Sequence, residues 1–330
     1  MRHPAAASEN WCRERRRCAW RVVADAPGGP GGPVTAHAHL PLAVVALGGN
    51  ALLRPGRGTD AGEQRQSAEA AAAAIAELTG THRAVVTHGN GPQVGRLALP
   101  PEADRETIPQ PLDVLDAEAD GMIGYMLQQA LQNALPSREV ATVLTQVVVD
   151  RYDPAFRLPT RPIGPSYERA AAEPLRDIQG WTIAAEGDRA RRLAPSPQPL
   201  SIVELGVIRR LVEQDVLVIC AGGGGIPVFR DAAGRLRGAE AMVDEDMAAG
   251  ALAEGLDADL LLMLTDVDGV YSGWGTAAAR AYRTVSPAVL AEQRYQARSM
   301  APKERWKYHS PRSLSLGAGS ATIRQTRGFR

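Results

Sequence analysis

The chain has 330 residues, and its 37 basic and 37 acidic side chains balance to a formal net charge of zero. This balance argues against the basic field of a nucleic-acid-binding protein, and no apolar run approaches the roughly 18–20 residues of a membrane span. Three cysteines form neither a disulfide framework nor a zinc set. We therefore expect a soluble cytoplasmic protein with one large α/β domain or two smaller ones.

Residues 1–40 differ in composition from the rest of the chain. WCRERRRCAW is strongly basic, and APGGPGGPVTAHAH is a Pro/Gly linker without a period. No apolar stretch follows the arginines that is long enough for a secretory signal. We expect a disordered N-terminal extension, with a compact domain that begins near Val34, and a misassigned start codon is one hypothesis for its origin.

Strands and helices alternate from Leu42 onward. The predicted elements are strand LAVVAL, which ends in Gly48-Gly49-Asn50, helix 64–78, strand 84–87, which ends in HGNGPQ, helix 121–135 and strand 141–149. Such alternation predicts a mostly parallel sheet with helices on both faces, in a three-layer α/β/α arrangement. The glycine-rich loops then meet at the carboxyl edge of the sheet, where ligands bind in open α/β folds.

The stretch from Val216 to Met247 carries the third glycine loop. An apolar strand, VLVIC, ends on Gly222, Gly223, Gly224 and Gly225, and Asp244-Glu245-Asp246 then begins a helix-like run. Backbone amides of such a loop can surround an anion, since no side chain keeps the ligand away. A ligand-free glycine turn is the alternative, and the two further glycine loops favour a phosphate site.

Between these regions, 150–195 is rich in proline and poor in periodic apolar residues. We interpret it as a small inserted lobe over the sheet edge, with a hairpin near its end, that could act as a lid. A helix is expected over 202–214, and LLLMLTDVDGVY from Leu260 predicts another buried strand followed by an acidic turn.

Together these motifs resemble carbamate kinase in the amino acid kinase family. The matching blocks run in family order from about Leu42 to Lys303: VVALGGNALL, VVTHGNGPQVG, PLDVLDAEADGMIGYML, ATVLTQVVVD, DPAF-x-x-PT-x-PIGP, APSPQP, CAGGGGIPV, GAEAMVDEDMA, LTDVDGVY and SMAPK. The resemblance implies a three-layer α/β/α homodimer in arginine metabolism. It would exchange a phosphoryl group between ATP and carbamate with Mg²⁺, typically making ATP from carbamoyl phosphate and ADP.

The same resemblance implies roles for individual residues. The substrate site would comprise Gly48, Gly49, Asn50, Asn90 and Gly91. The nucleotide side would comprise Gly222, Gly223, Gly224, Gly225, Asp266 and Met300. The catalytic group would comprise Arg161, Glu245, Asp246 and Lys303, and the sequence assigns no residue as a metal ligand.

Two of the three expected cationic positions depart from the family pattern. Arg161 stands where the family has lysine, which keeps the charge with another shape. Glu245 replaces a lysine that bridges the transferring phosphate, so a charge is reversed, although glutamate there also suits the helix dipole. Lys303 matches the third lysine, and Asp246 matches the aspartate that organises them.

After Lys303 the likeness stops. Residues 304–330 have no helical period and a Ser/Gly/Arg-rich composition, which a reading-frame shift just after Lys303 would produce. Translation of the neighbouring frame, with no EAA-type helix found there, would refute that hypothesis.

Other polar residues near the motifs have simpler interpretations. We interpret His88 as making a structural hydrogen bond rather than acting as a catalytic base. We interpret Asp113 and Glu118 as capping the start of a helix. The leading function is a carbamate kinase. The alternatives are a catalytically impaired relative that still binds nucleotide and a kinase of another small acid.

Overall fold

The structure is a computed structural model, and it describes residues 40–49, 61–98, 110–264, 270–273, 276, 278–282, 313–316 and 321–324. The predicted N-terminal extension lies outside these residues except for Leu40. Four predicted site residues also lie outside them: Asn50, Asp266, Met300 and Lys303.

The described helices are α1 Ala61–Leu78, α2 Gly91–Leu97, α3 Leu112–Ala134, α4 Arg169–Gln179, α5 Leu205–Glu213 and α6 Glu245–Gly255. The described strands are β1 Leu42–Leu47, β2 Arg83–His88, β3 Val140–Val143, β4 Gln146–Val149, β5 Arg161–Glu168, β6 Thr182–Glu186, β7 Arg189–Ala194, β8 Pro199–Ile202, β9 Leu217–Cys220, β10 Ile226–Arg230, β11 Leu236–Gly238, β12 Leu260–Leu264, β13 Val270–Ser272, β14 Arg280–Tyr282, β15 Ser313–Leu316 and β16 Ala321–Arg324.

A seven-stranded sheet in the order β16-β15-β12-β1-β2-β9-β3 forms the centre of the molecule. Neighbouring strands are parallel, except that β15 and β16 are antiparallel. Every residue of β1 is buried, as expected of a parallel strand covered on both faces. The predicted mostly parallel sheet is confirmed.

Alternate residues of the central strands pack on opposite helical layers. Val45, Leu47 and Ile219 pack with α1 and α3 on one face. Val44 and Val218 pack with α5 and α6 on the other. The three-layer α/β/α fold predicted from the alternation is therefore confirmed.

The run 141–149, predicted as one strand, forms two. β3 ends at Val143 and joins the central sheet beside β9, whereas β4 begins at Gln146 and joins a second sheet in the order β11-β10-β4-β8. Thr145 lies at this change of sheet, and its hydroxyl donates to the Val143 carbonyl while accepting from the Ala221 amide. The single-strand prediction was wrong because pattern alone does not show where a chain leaves a sheet.

Two helix boundaries also differ from expectation. Helix α3 begins at Leu112, nine residues before the predicted start at Gly121, because its acidic first turns hid the apolar period. Helix α5 begins at Leu205, since Ile202 completes β8. Glu118 consequently lies in the second turn of α3, exposed, so the capping interpretation of Glu118 was wrong.

The segment predicted as a lobe contains a separate sheet in the order β5-β7-β6, with α4. The expected hairpin is the β6–β7 pair, which turns at Gly187. The segment rests on α2 and α3 through a small apolar cluster that includes Ile163 and Ala194. Backbones meet there, because a Cβ on Gly95 would lie 2.6 Å from the Cα of Gly164.

An ionic contact joins the same segment to the start of α3. Arg192 stacks over the Trp181 ring at 4.4 Å and pairs with Glu240 at 2.7 Å. The other oxygen of Glu240 accepts from the Leu112 amide at 2.9 Å, which satisfies one free donor of the first turn. The Glu240 carboxylate thus bonds both to the β5-β7-β6 segment and to the start of α3.

Two short strands come from the tail beyond Lys303. β15 pairs in parallel with β12, and β16 pairs with β15 at the sheet edge. Among the described residues, no helix is long and apolar enough to cross a membrane. Cys220 is buried and has no disulfide partner, as its position in an apolar strand predicts.

A matched pair of glycines in α3 tests the packing of this helix on the sheet. A Cβ on Gly124 would lie 2.4 Å from the Cγ2 methyl of Thr142, whereas one on Gly121 meets only Leu144 at 4.0 Å. We expect Gly121→Ala to raise the free energy of unfolding by about 0.5–1 kcal/mol through helix propensity. Gly124→Ala should lower it by about 1–3 kcal/mol because Thr142 is stiff and cannot yield. Urea denaturation of both variants measures the difference, and equal effects would contradict this packing.

Candidate active site

The three predicted glycine loops meet at one edge of the central sheet. They follow β1, β2 and β9, which are neighbours in the sheet and parallel, so their carboxyl ends lie side by side. The first two loops touch, since a Cβ on Gly89 would lie 2.7 Å from the amide nitrogen of Gly49. The predicted convergence is confirmed.

The loop Gly222–Gly225 packs against three other parts of the site. An added Cβ would lie 1.7 Å from Oδ1 of Asp120 at Gly222, 2.0 Å from Nδ2 of Asn90 at Gly223, and 2.4 Å from the Val243 carbonyl at Gly224. Gly223, Gly224 and Gly225 also have positive φ angles of 64°, 100° and 82°. Close packing and backbone conformation therefore both require glycine here.

His88 is enclosed at the end of β2. Its Nε2 lies 3.2 Å from Oδ1 of Asp120, without hydrogen-bond geometry, and its Nδ1 lies 3.3 Å from the Gly89 carbonyl. The side chain is buried between α3 and the loop at Gly222. This environment favours the structural role predicted for His88.

Asn90 occupies the N-cap position of α2, yet its side chain makes no capping hydrogen bond. Its Nδ2 instead donates to Oδ1 of Asp116 at 2.5 Å. Gly91 follows as the first residue of α2, with open space where a Cβ would be. The amide of Asn90 is thus directed toward α3 and away from its own helix.

Asp116 and Asp120 are site residues that the sequence reasoning missed. They lie one turn apart on the buried side of α3, with exposures of 0% and 1%. Carboxylates are seldom fully buried unless they are paired, so two acids spaced by four within an apolar helix face were a signal. Both acids precede Gly121, where the apolar pattern predicts that the helix begins, so that pattern does not assign them to a helix face.

The start of α6 carries the acidic triplet. Asp244 is the N-cap, and its Oδ1 accepts from the amides of Asp246 and Met247 at 3.1 Å each. Glu245 and Asp246 lie in the first turn, where acidic side chains are favourable to the helix dipole. The loop at Gly224 packs directly against the entry to this helix.

Arg161 connects the β5-β7-β6 segment to this helix start. Its Nη1 lies 3.3 Å from Oδ2 of Asp244, and its Nη2 donates to Oε2 of Glu245. The guanidinium is largely buried, at 17% exposure. The two positions that depart from the family pattern therefore pair with each other, which the sequence did not show.

Burial and neighbouring charges shift the pKa values of Arg161, Asp244 and Asp116. Burial alone would lower the pKa of Arg161, but Glu245 and Asp244 outweigh it and raise that pKa, so the guanidinium stays charged. Burial, reinforced by Glu245, raises the pKa of Asp244 to about 6. Burial also raises the pKa of Asp116, against the hydrogen bond from Asn90.

The structure brings most of the described site residues together. Gly48, Gly49, Asn90 and Gly91 lie at the adjoining ends of β1 and β2. Gly222–Gly225, Asp244–Asp246 and Arg161 surround the neighbouring end of β9. In the part of the chain that is described, no cluster of three or more His, Cys, Asp or Glu side chains could hold a metal ion by itself.

Asp244→Asn tests the electrostatics at the start of α6. Asparagine caps a helix about as well as aspartate does, so the amide contacts are kept while the carboxylate is lost. Between the ordinary pKa of 3.8 and the folded pKa of about 6, the folded state of the wild type binds more protons than the unfolded state. The carboxyl therefore lowers the free energy of unfolding as pH rises through this window, by up to about 3 kcal/mol.

Urea unfolding of both proteins at several pH values between 4 and 8 measures this effect. We expect the stability of the asparagine variant relative to the wild type to increase from about pH 4 to pH 6 and to stay level above. Any direct effect of the new amide on Arg161 is independent of pH and cancels in the slope. Parallel pH profiles for the two proteins would contradict the raised pKa of Asp244.

Comparison with known proteins agrees with this architecture. The sequence profile of the Amino acid kinase family matches residues 41–306. The carbamate kinase of Haemophilus influenzae is 47% identical over 261 residues, which cover 79% of this chain and 84% of that protein. The carbamate kinase of Pyrococcus horikoshii is 43% identical over 273 residues, covering 79% and 87%.

Solved structures give the same relationship in three dimensions. The carbamate kinase from Giardia lamblia bound to AMP-PNP superposes with a TM-score of 0.79 at 32% identity, covering 88% of this chain and all of that one. Profile, sequence and fold agree over most of the chain. The chain therefore belongs to the amino acid kinase family, and within it to the carbamate kinases.

Proposed function

We propose that the chain transfers a phosphoryl group reversibly between ATP and carbamate. The observation that carries this proposal is the meeting of three glycine loops and one charged guanidinium at a single sheet edge. Phosphoryl transfer needs positioning and neutralisation of charge more than covalent chemistry from the protein, and this edge supplies both. The relatives named carbamate kinase specify carbamate as the acceptor.

In the direction that makes ATP, the reaction has the following steps. A β-phosphate oxygen of ADP forms a bond to the phosphorus of carbamoyl phosphate, and the bond from that phosphorus to the carbamate oxygen breaks. The leaving group departs as carbamate, which takes up a proton and decomposes to ammonia and CO₂. No protein side chain has to become covalently modified, which agrees with a site built of backbone amides.

The two sides of the site take different parts of the substrates. Amides of the loops at Gly48–Gly49 and Asn90–Gly91 would bind the carbamoyl and phosphoryl groups. The loop Gly222–Gly225 would bind phosphates of the nucleotide through its backbone amides. By resemblance alone, Asn50 belongs to the first group, and Asp266 and Met300 belong to the second.

Among the described residues, Arg161 is the cation that we assign to the transferring phosphoryl group. Two of its five N–H donors face Asp244 and Glu245, which leaves donors for phosphate oxygens. Glu245 then positions Arg161, and by resemblance alone Asp246 would support the charge of Lys303. This arrangement replaces a lysine pair by an arginine and the acid that holds it.

The nucleotide would be ATP or ADP, and a relative has been solved bound to AMP-PNP. Magnesium would accompany it, because Mg²⁺ in kinase sites is held largely by substrate phosphates with one or two carboxylates. The acidic start of α6 could supply such a carboxylate. We also propose, from the resemblance alone, a cytoplasmic homodimer.

A catalytically impaired chain is the second candidate, and one observation favours it. Arg161 is paired with two acids, so the three side chains together offer a phosphate no net positive charge. Such a chain would bind nucleotide and carbamoyl phosphate without turnover. A kinase of another small acid, the third possibility, would prefer a different acyl phosphate as donor to ADP.

An assay of ATP formation from carbamoyl phosphate, ADP and Mg²⁺ tests the proposed function. We expect activity in the wild type that is lost without Mg²⁺, and a fall in kcat of about 10²–10³ in Arg161→Ala because the phosphoryl charge loses its partner. Arg138→Ala is the matched control. This variant also removes a largely buried arginine, whose Nη2 lies 2.6 Å from Oδ1 of Asp215. Arg138 and Asp215 come just before β3 and β9, so they lie at the amino ends of these strands, opposite the candidate site.

Three outcomes separate the candidates. Activity that falls in Arg161→Ala and not in Arg138→Ala supports the assignment. A wild type that binds ADP and carbamoyl phosphate without turnover would support the impaired relative. Faster turnover of another acyl phosphate would support a different small acid.

Substitutions of Glu245 test its role as the residue that holds Arg161. We expect Glu245→Gln to lower kcat about tenfold because Arg161 loses its closest partner, with little change in the KM for ADP. Glu245→Lys should lower kcat further, since a second cation beside Arg161 displaces it. Glu118→Gln, on the exposed side of α3, controls for loss of a surface charge. An increase of activity in Glu245→Lys would instead show that Glu245 disables the site.

A further inference from the structure

Among the described residues, the buried side-chain amide of Asn90 makes a hydrogen bond through its nitrogen but not through its oxygen. The residue is fully buried, and its Nδ2 donates to Asp116, while its Oδ1 has no partner among the described residues. A buried polar atom without a partner is costly, so such atoms in native proteins are commonly satisfied by water or ligand. Capping of α2 does not explain Asn90 either, because its side chain makes no capping bond.

Two contacts hold the Asn90 amide in one orientation. Oδ1 of Asp116 accepts from Nδ2, and a proton taken up by Asp116 would sit on Oδ2, which is unpartnered among the described residues. Asp116 therefore accepts from Asn90 whether or not it is ionised. Gly223 lies flat against the amide, since a Cβ there would come within 2.4 Å of Nδ2, Cγ and Oδ1 alike. The amide cannot turn without displacing this loop.

The position of Asp116 places this pair within the site. Asp116 accepts from the amide of Asn90, which follows β2, and Gly223 of the loop after β9 packs on that amide, so the pair adjoins two of the glycine loops. The Asn90 amide thus lies where the loop that we assign to the carbamoyl group meets the loop that we assign to the nucleotide phosphates. An acceptor oxygen in this place suits a substrate that carries an N–H donor beside its reacting carboxyl.

We propose that Asp116 sets the substrate specificity of the site by orienting Asn90, whose Oδ1 accepts a hydrogen bond from the amino group of carbamate or carbamoyl phosphate. This inference rests on the proposed function and deepens it. Acetyl phosphate has a methyl group where carbamoyl phosphate has NH₂, with the same charge and almost the same shape. A site that offers a buried acceptor to this group rejects the methyl analogue, because the acceptor is then left unpaired.

The test compares the two acyl phosphates as donors to ADP, using the full chain. We expect the wild type to prefer carbamoyl phosphate by at least about 100-fold in kcat/KM. Asp116→Leu, which removes the acceptor but keeps the branching and the number of side-chain heavy atoms, should reduce this preference about 10- to 100-fold. Asp116→Asn should reduce it less, since its amide oxygen still accepts from Asn90. In an Asn90→Ala background, Asp116→Leu should change the preference no further.

Asp120→Asn is the matched control. Asp120 is equally buried and lies one turn along the same helix, but it faces His88 and Gly222 rather than Asn90. We expect Asp120→Asn to change the thermal midpoint and to alter the activity with both acyl phosphates by the same factor, so that the preference between them is unchanged. Equal loss of both activities in the Asp116 variants, or the same shift of preference in Asp120→Asn, would overturn the proposal and leave Asp116 with a purely structural role.

Binding measurements keep this inference separate from the proposed function. If the wild type shows no turnover, calorimetric titration with carbamoyl phosphate and acetyl phosphate reads the same discrimination. Preferential binding of carbamoyl phosphate that is lost in Asp116→Leu supports the role of Asp116 even in an impaired enzyme. Equal binding of the two compounds by a folded wild type would overturn it, whatever the activity.

Discussion

The site depends on the placement of one largely buried guanidinium between two parts of the chain. Arg161 belongs to the β5-β7-β6 segment, and both of its acidic partners stand at the start of α6. A buried cation is stable only if it is paired, and here the pairing also determines where the cation sits. The contact therefore links the geometry of the segment to the chemistry of the glycine loops.

The glycine loops have two physical roles that are easily confused. Their amides suit phosphate binding, but at Gly222 and Gly223 the absence of a side chain is also required by Asp120, His88 and Asn90. The ligand-binding role and the packing role thus act on the same residues. A glycine run found in a sequence does not tell which of the two requires it, whereas the neighbours found in the structure do.

Beneath these loops, α3 supplies a layer of buried polar groups. Asp116 faces Asn90, and Asp120 faces His88 at the end of β2. The Oδ2 atom of each aspartate has no hydrogen-bond partner among the described residues. An apolar helix face of the same shape would bury no polar groups and would therefore cost less free energy on folding. Such groups are common where substrate binding, and not stability alone, determines which residues are present.

The sequence by itself determined the layered fold and the place of the site. Apolar strand runs that end in glycine, alternating with helices, leave few arrangements other than a parallel sheet with its loops at one edge. It also singled out Arg161 and Glu245 as unusual. Only the tertiary structure decided that these two residues pair, that 141–149 divides between two sheets, and that Asp116 and Asp120 lie against the loops after β2 and β9. Each of these features joins residues far apart in the chain, and local periodicity carries no information about such distant contacts.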